Sequence, residues 1–252
     1  MLHVPEHIQS VWEKFDKFPM ETLTKIWVHL QEGGGRQREV TEMREHREQY
    51  GIAGNCFDLS LWLLDEFKQA GIPAYPIGHH LGSEHAHIAV IALDDKGGRY
   101  LCDLGDQWLN PLPIDAVYDG RRLKGHFPAA EIQFEQRGEE LEVQYYRPNG
   151  KASKQTFELK PIEINKCLQA ADQSQRLIKP QPLFECRIPY NQDKAHWEFY
   201  NWESFLSTWE GLIDEPVSKD IDQWVEKLYY YSGYDKGMLQ TSLKAYDKLT
   251  EN

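Results

Sequence analysis

Three side chains in this sequence carry the raw material of covalent catalysis: a thiol at Cys56, an imidazole at His87 and a carboxylate at Asp103. A thiolate is a strong nucleophile, an imidazole can take its proton and return it, and a carboxylate can fix the imidazole's tautomer and stabilise its charged form. Cys56 stands in Gly51-Ile-Ala-Gly-Asn-Cys-Phe-Asp58, where a small-residue turn runs into a helical pattern. A cysteine in a helix's first turn faces unpaired N–H groups and the positive end of the dipole, which favour the thiolate. Those N–H groups, that of Cys56 included, can also hold a developing oxyanion.

His87 and Asp103 lie in Ala86-His-Ile-Ala-Val-Ile-Ala-Leu93 and Tyr100-Leu-Cys-Asp-Leu-Gly105, two apolar runs that read as paired strands. A three-residue loop at 94–96, with Gly97 in a left-handed or bulge position, pairs Leu93 with Gly97 and sets His87 directly opposite Asp103. Opposed side chains share one face, with Cβ atoms about 4.5–5.5 Å apart. His85 lies on the same face but meets Gly105 in this register. Bringing it opposite Asp103 would push both Gly97 and Gly98 into the strand, so His87 is the preferred base. Taken singly, a helical cysteine or a strand histidine is an ordinary structural residue, and the combination carries the signal. A zinc site is the other chemical reading, because His79, His80, His85 and His87 lie close to Cys56 and Asp103 in sequence. Paired ligand spacings are lacking and two of these histidines fall in a loop, so no metal is expected.

The elements that must position these groups follow from periodicity. Val4, Ile8, Val11, Trp12 and Phe15, then Leu23, Ile26, Trp27 and Leu30, form two helical stripes separated by Pro19 and stopped by Gly33-Gly-Gly35. Val40, Met43, Arg47 and Tyr50 suggest a third helix. From Cys56 to Ala70 the apolar face of Leu59, Leu63 and Phe67 predicts a central helix capped by Gly71 and closed by Pro73. Strands are expected over 86–93, 99–104, 131–136, 140–147, 155–160 and 183–188, with hairpin turns at 94–98, 136–139 and 148–150. Regular antiparallel hairpins of this kind suggest a small barrel or sandwich-like sheet. A short helix is expected over 162–171, and helix again over 202–206 and 218–249.

The chain has 252 residues, enough for one large domain or two to three packed subdomains, and a net charge of -12. That charge argues against nucleic acid and anionic membranes as partners. Gly120-Arg-Arg-Leu-Lys-Gly125 is the one compact basic run, readable as a solvated turn or as a phosphate contact through Arg121, Arg122 and Lys124. The N-terminal residues lack a basic start followed by an apolar core, so no signal peptide is expected, and no run approaches the ~18 apolar residues of a membrane span. The four cysteines are widely spaced without a C-x-x-C pair, which suits a reducing cytoplasm.

Ala53-Gly-Asn-Cys-Phe-Asp58, Ala86-His-Ile-Ala-Val-Ile91, Tyr100-Leu-Cys-Asp-Leu-Gly105 and Trp108-Leu-Asn-Pro-Leu-Pro113 resemble, in order, the motifs of the arylamine N-acetyltransferase family. Ile164-Asn-Lys-Cys-Leu-Gln-Ala-Ala-Asp172 through Leu183-Phe-Glu-Cys-Arg187 is similar to that family's segment between barrel and lid. The resemblance implies an α+β fold: a helical domain over 1–78 carrying the nucleophile, a β-barrel over 79–196 carrying the histidine and aspartate, and a mainly helical α/β lid region over 197–252. It also implies an acyl-cysteine on Cys56, with His87 as base, Asp103 as its orienter, and acetyl-CoA or another acyl-CoA as co-substrate rather than a tightly bound cofactor. Asn55, Phe57, His85 and Asp106 become candidates to contact substrate, and the partners implied are a small acyl donor and an amine acceptor. Ile52 and Ala53 depart from the family's Arg-Gly. Asp106 and Gln107 follow Gly105 where the family continues with Phe-Gly. Gly54-Asn-Cys56 and Gly71-Ile-Pro-Ala74 look equally like the transglutaminase-type cysteine superfamily. An amide-directed enzyme, or a binding protein that keeps the fold without catalysis, therefore remains an alternative.

Overall fold

The computed structural model describes residues 2–250 apart from Glu32 and Lys219. In chain order the elements are α1 (Glu6–Glu13), β1 (Met20–Glu21), α2 (Leu23–His29), α3 (Val40–Tyr50), α4 (Cys56–Gln69), β2 (Ala74–His79), β3 (His87–Leu93), β4 (Arg99–Cys102) and β5 (Leu112–Pro113). There follow β6 (Leu123–Phe127), β7 (Ala130–Arg137), β8 (Glu140–Tyr146), β9 (Ala152–Glu158), α5 (Ile164–Arg176), β10 (Leu183–Tyr190), β11 (Asp193–Tyr200), β12 (Glu203–Thr208), β13 (Gly211–Asp214), α6 (Ile221–Ser232) and α7 (Lys236–Thr250). This is a mixed α+β architecture with three antiparallel sheets.

The expected barrel does not close. The first sheet runs β2-β3-β4-β5 and the second β6-β7-β8-β9, each with free edges. Proline explains both edges of the first sheet. Pro76 in β2 has no N–H for an outer ladder, and β5 is a two-residue strand ending in Pro113. Strand β9 touches β2 without pairing to it.

Helix α4 is central, as its apolar pattern predicts. Phe57, Leu59, Leu63 and Phe67 are fully buried, and the helix packs on α1, α3, β2 and β3. Burying each such side chain stabilises the fold by about 1.5–3 kcal/mol. The third sheet, β1-β10-β11-β12-β13, overturns the helix expected over 202–206: residues 203–206 belong to β12 and Trp202 to the turn before it. Tight turns join its strands, and one of them places Asn201 and Trp202 at φ 50° and 67°. A type I′ hairpin turn needs two positive φ values, normally announced by glycine, and Trp202 gives no such signal. The expected division at 196/197 falls inside β11. After this sheet, α6 and α7 pack on each other, and α7 lies against α2.

Candidate active site

The turn before Cys56 is held by polar groups from distant parts of the chain. Asn55 caps α4: its side-chain oxygen accepts from the N–H groups of Phe57 at 2.9 Å and Asp58 at 3.2 Å, while the Asp58 carboxylate accepts from the Asn55 N–H at 3.1 Å. This reciprocal arrangement sets where the helix starts, and so sets Cys56 as its first residue. Gly54 is required here, since a Cβ at its φ of 141° would lie 2.3 Å from Asp58 Oδ2. Beneath the turn, the Arg38 guanidinium pairs with Asp58 at 3.3 Å, both side chains being 1% exposed. Gln37 and Gln175 donate to the same carboxylate at 2.8 Å and 3.3 Å. From the C-terminal region, the Tyr234 hydroxyl accepts from the Ala53 N–H at 2.7 Å, and Glu21 donates its N–H to the Gly54 carbonyl at 3.0 Å.

Asp103 is fully buried, and its Oδ2 stands 2.8 Å from His87 Nε2. The register that achieves this differs from the expected one. Leu93 pairs with Arg99 and Val90 with Cys102, so the loop takes five residues, 94–98, instead of three. Asp94 causes the longer loop by accepting from the N–H groups of Lys96 and Gly98, each at 2.8 Å. A two-residue slip preserves the face on which every side chain lies. Asp103 also sits beyond the end of β4, free to lean toward His87, with Oδ1 accepting from the Asp106 N–H at 3.0 Å.

Gly105 brings Cys56 and His87 together. A Cβ there would lie 2.7 Å from Cys56 Cβ and 2.8 Å from His87 Cε1, so only a glycine leaves room for both. Cys56 and the His87 ring therefore adjoin across Gly105, and the thiol is among the groups that favour a charged ring. With Nε2 engaged by Asp103, Nδ1 is the ring nitrogen left open to a further partner. Burial pulls the His87 pKa down, but Asp103, Asp106 and Cys56 all favour the imidazolium and hold it well above its ordinary value. Its side chain is 14% exposed. The arrangement can generate a nucleophilic sulfur, protonate a leaving group and keep the imidazole in one tautomer.

Asp106 is the feature that most alters this site. Its Oδ1 stands 3.8 Å from His87 Nδ1, opposite the Asp103 side of the ring. Burial, and then the neighbouring Asp103, raise the Asp106 pKa against the pull of His87. The ligand atoms of His87, Asp103 and Asp106 lie within 4.8 Å of one another, close enough for a metal ion. The two carboxylates nevertheless address opposite ring nitrogens, which brackets an imidazolium instead of converging on one coordination point. His79 lies directly across the ladder from His87, their rings 5.4 Å apart, and burial followed by the charge of His87 lowers its pKa.

The remaining residues expected at the site divide plainly. Asn55 is a helix cap, Phe57 is a fully buried core residue, and the His85 side chain is 72% exposed beside Glu84. Arg121 pairs with Asp119, Arg122 lies over the Tyr146 ring, and Lys124 lies over the Trp209 ring. None of these lines the cavity that Asp106 lines. That cavity, about 630 Å³, opens between the second and third sheets. Its lining includes Glu185, His196 and Glu198 from the third sheet and Arg147, Lys151 and Lys154 around the β8–β9 hairpin. The sequence reading missed these residues because strand pairing across two sheets assembles them. Pro148-Asn-Gly150 marks the hairpin but not what it faces. Lys25, half-buried on α2, was also missed; burial pushes its pKa down to about 8 while Cys56 and Asp58 act to raise it.

No protein-family model matches the sequence, and no curated protein matches it. Solved structures do match the fold. An arylamine N-acetyltransferase of Mycobacterium marinum in complex with CoA aligns with a TM-score of 0.70 at 11% identity, over 93% of this chain and 90% of that one. The arylamine N-acetyltransferase of Salmonella typhimurium aligns with a TM-score of 0.70 at 15% identity, over 97% and 94%. One from Bacillus cereus, described as having a Cys-His-Glu catalytic triad, aligns with a TM-score of 0.64 at 14% identity, over 92% of each chain. Almost the whole chain therefore adopts the arylamine N-acetyltransferase fold, as a divergent example of it.

Proposed function

We propose that the protein is an acyltransferase that carries an acyl group on Cys56. The observation that carries this reading is the His87 imidazole, held by Asp103 at 2.8 Å on one nitrogen, with Cys56 beside the ring across Gly105. The Cys56 sulfur attacks the carbonyl carbon of an acyl thioester as its proton passes to His87. The carbon–sulfur bond to the donor breaks, and His87 returns the proton to the departing thiolate. A neutral amine then attacks the acyl-cysteine and loses its proton to His87. Cys56 departs as the thiolate and the amide is released. Because Asn55 takes the N–H groups of Phe57 and Asp58, the Cys56 N–H is the candidate donor to the oxyanion in both halves.

An acyl-CoA is the donor class that this fold suggests, since one of the aligned enzymes is a CoA complex. The cavity leading to Asp106 is wide enough for a pantetheine arm, and Arg147, Lys151 and Lys154 offer positive charge to its phosphates. This moves the candidate phosphate contact away from Arg121, Arg122 and Lys124. We place the protein in the cytoplasm, where its four cysteines, all free, would stay reduced. No helix among the described residues is long and apolar enough to cross a membrane.

Intact-protein mass spectrometry after incubation with acetyl-CoA and longer acyl-CoAs tests the reading. One acyl group should appear, map to Cys56, and form about 10²-fold more slowly in His87→Gln. No adduct from any acyl-CoA, with folded protein and a titratable thiol, would refute it. An adduct formed only from amide substrates would instead identify an amide-directed enzyme.

A further inference from the structure

We propose that the acceptor of this site is a linear aliphatic diamine or polyamine, whose remote ammonium is held by Glu185 and Glu198 while its other, neutral amine meets the acyl-cysteine. This rests on the acyl-cysteine reading and names the acceptor class for it. Glu185 and Glu198 are directly opposed across the β10–β11 ladder and line the same cavity as Asp106. Like charges directly opposite one another destabilise a sheet. Among the described residues neither carboxylate has a hydrogen-bond donor, and the nearest candidate counter-charge to Glu185 is His196 Nε2 at 3.9 Å. Burial pushes the His196 pKa down to about 4, so at neutral pH this ring carries no charge to offer. Arg147 and Lys151 act on Glu198 from the same cavity without pairing with it. Arg147 donates to Ser153 Oγ at 2.9 Å, and Lys154 is engaged by Glu142 at 2.8 Å.

A neutral aromatic amine would leave this opposed pair without a charged donor, whereas an ammonium can donate to both members at once. Asp106 extends the negative wall from the pair toward His87, so a flexible cation can lie along it with its far end toward that ring. Burial, and then Glu198 and Asp106, push the Glu185 pKa well above the usual carboxylate range. A bound ammonium favours its ionised form, and binding should therefore release a proton. The protein's net charge of -12 also draws cations toward the surface. The reacting amine enters as its free base, having given its proton to water, so the aminolysis step written above balances unchanged.

Isothermal titration calorimetry of the full chain with 1,4-diaminobutane, 1,6-diaminohexane, butylamine and aniline tests this, run in two buffers of different ionisation enthalpy. At least one diamine should bind tenfold or more tighter than butylamine, with net proton release. Glu198→Gln should weaken that diamine about tenfold and leave aniline unchanged. Glu185→Gln should do the same and lessen the proton release. Equal affinities for diamine and monoamine, no diamine binding, or an unchanged diamine affinity in both variants would each overturn the proposal. With the acylated protein, the diamine should shorten the life of the adduct more than aniline does, and the reverse order would overturn it too. Failure of Cys56 to acylate counts against the acyl-cysteine reading alone, because the titrations judge the cation site without it.

Discussion

Replacing Arg38 by methionine should destabilise the protein by about 3–4 kcal/mol, and the polar network under Cys56 explains that size. Arg38 and Asp58 are each 1% exposed and 3.3 Å apart. Removing one partner of such a pair leaves a buried charge uncompensated, which costs about 3–5 kcal/mol. Asp58 keeps three donors, from Gln37, Gln175 and the Asn55 N–H, and these place the loss at the lower end of that range. The guanidinium also donates to the Ala53 carbonyl, whose lost partner adds about 1 kcal/mol. Methionine fills much of the arginine's volume, so cavity formation adds little. Urea titration followed by tryptophan fluorescence would measure the change as a shift in midpoint at constant slope. Adding Asp58→Asn to Arg38→Met removes the stranded charge and should recover at least about 1 kcal/mol, since replacing both partners costs less than stranding one. A loss below about 1.5 kcal/mol for Arg38→Met would refute the reasoning. So would a double variant whose loss is the sum of the two single losses.

Gly105→Ala should slow acylation of Cys56 by about 10²-fold, because its methyl would force the Cys56 and His87 side chains apart, and an ångström of misplacement is enough for that loss. Single-turnover mass spectrometry on folded variant checks it, and unchanged acylation would remove Gly105 from the account. His126, fully buried in the core, has its pKa pushed down to about 4 by burial. Its neutral form contributes stability that is fully present above the unfolded value of about 6.5 and is lost as pH falls toward about 4. His126→Phe should therefore flatten the decline in unfolding free energy across that window in urea titrations at stepped pH, and an equally steep decline would contradict this.

What the sequence revealed and what it hid follow from the range of the interactions involved. Helix α4 and its first residue were legible because the apolar period, Gly54, Asn55 and Gly71 are all local signals. The pairing of His87 with Asp103 was also legible, although the register expected for it was two residues out. Strand periodicity made the shared face robust, whereas Asp94 turned a three-residue loop into a five-residue one through side-chain bonds that composition does not announce. Arg38 and Tyr234 were invisible as supports of the nucleophile. They reach it from 15 and 181 residues away along the chain, through single hydrogen bonds to the Ala53 backbone. The third sheet was partly misread because its turns use Asn201-Trp202 where glycine would have marked a hairpin.

The departure at Asp106 connects the two proposals. In the expected constellation His87 answers to one carboxylate and one thiol. Here a second carboxylate stands 3.8 Å from the nitrogen that Asp103 leaves open, so the imidazolium is stabilised from both sides. Such an imidazolium suits the first half-reaction, in which it forms as the sulfur attacks and then protonates the departing thiolate. It suits the second half-reaction poorly, because His87 must then be neutral to accept a proton from the amine. A cation bound along the Asp106, Glu185 and Glu198 wall relieves that conflict. Its positive charge satisfies Asp106 and lowers the proton affinity of His87 at the moment when a base is needed. The carboxylate that makes the site look ill-suited to a neutral aromatic amine thus becomes useful once the acceptor carries a charge of its own.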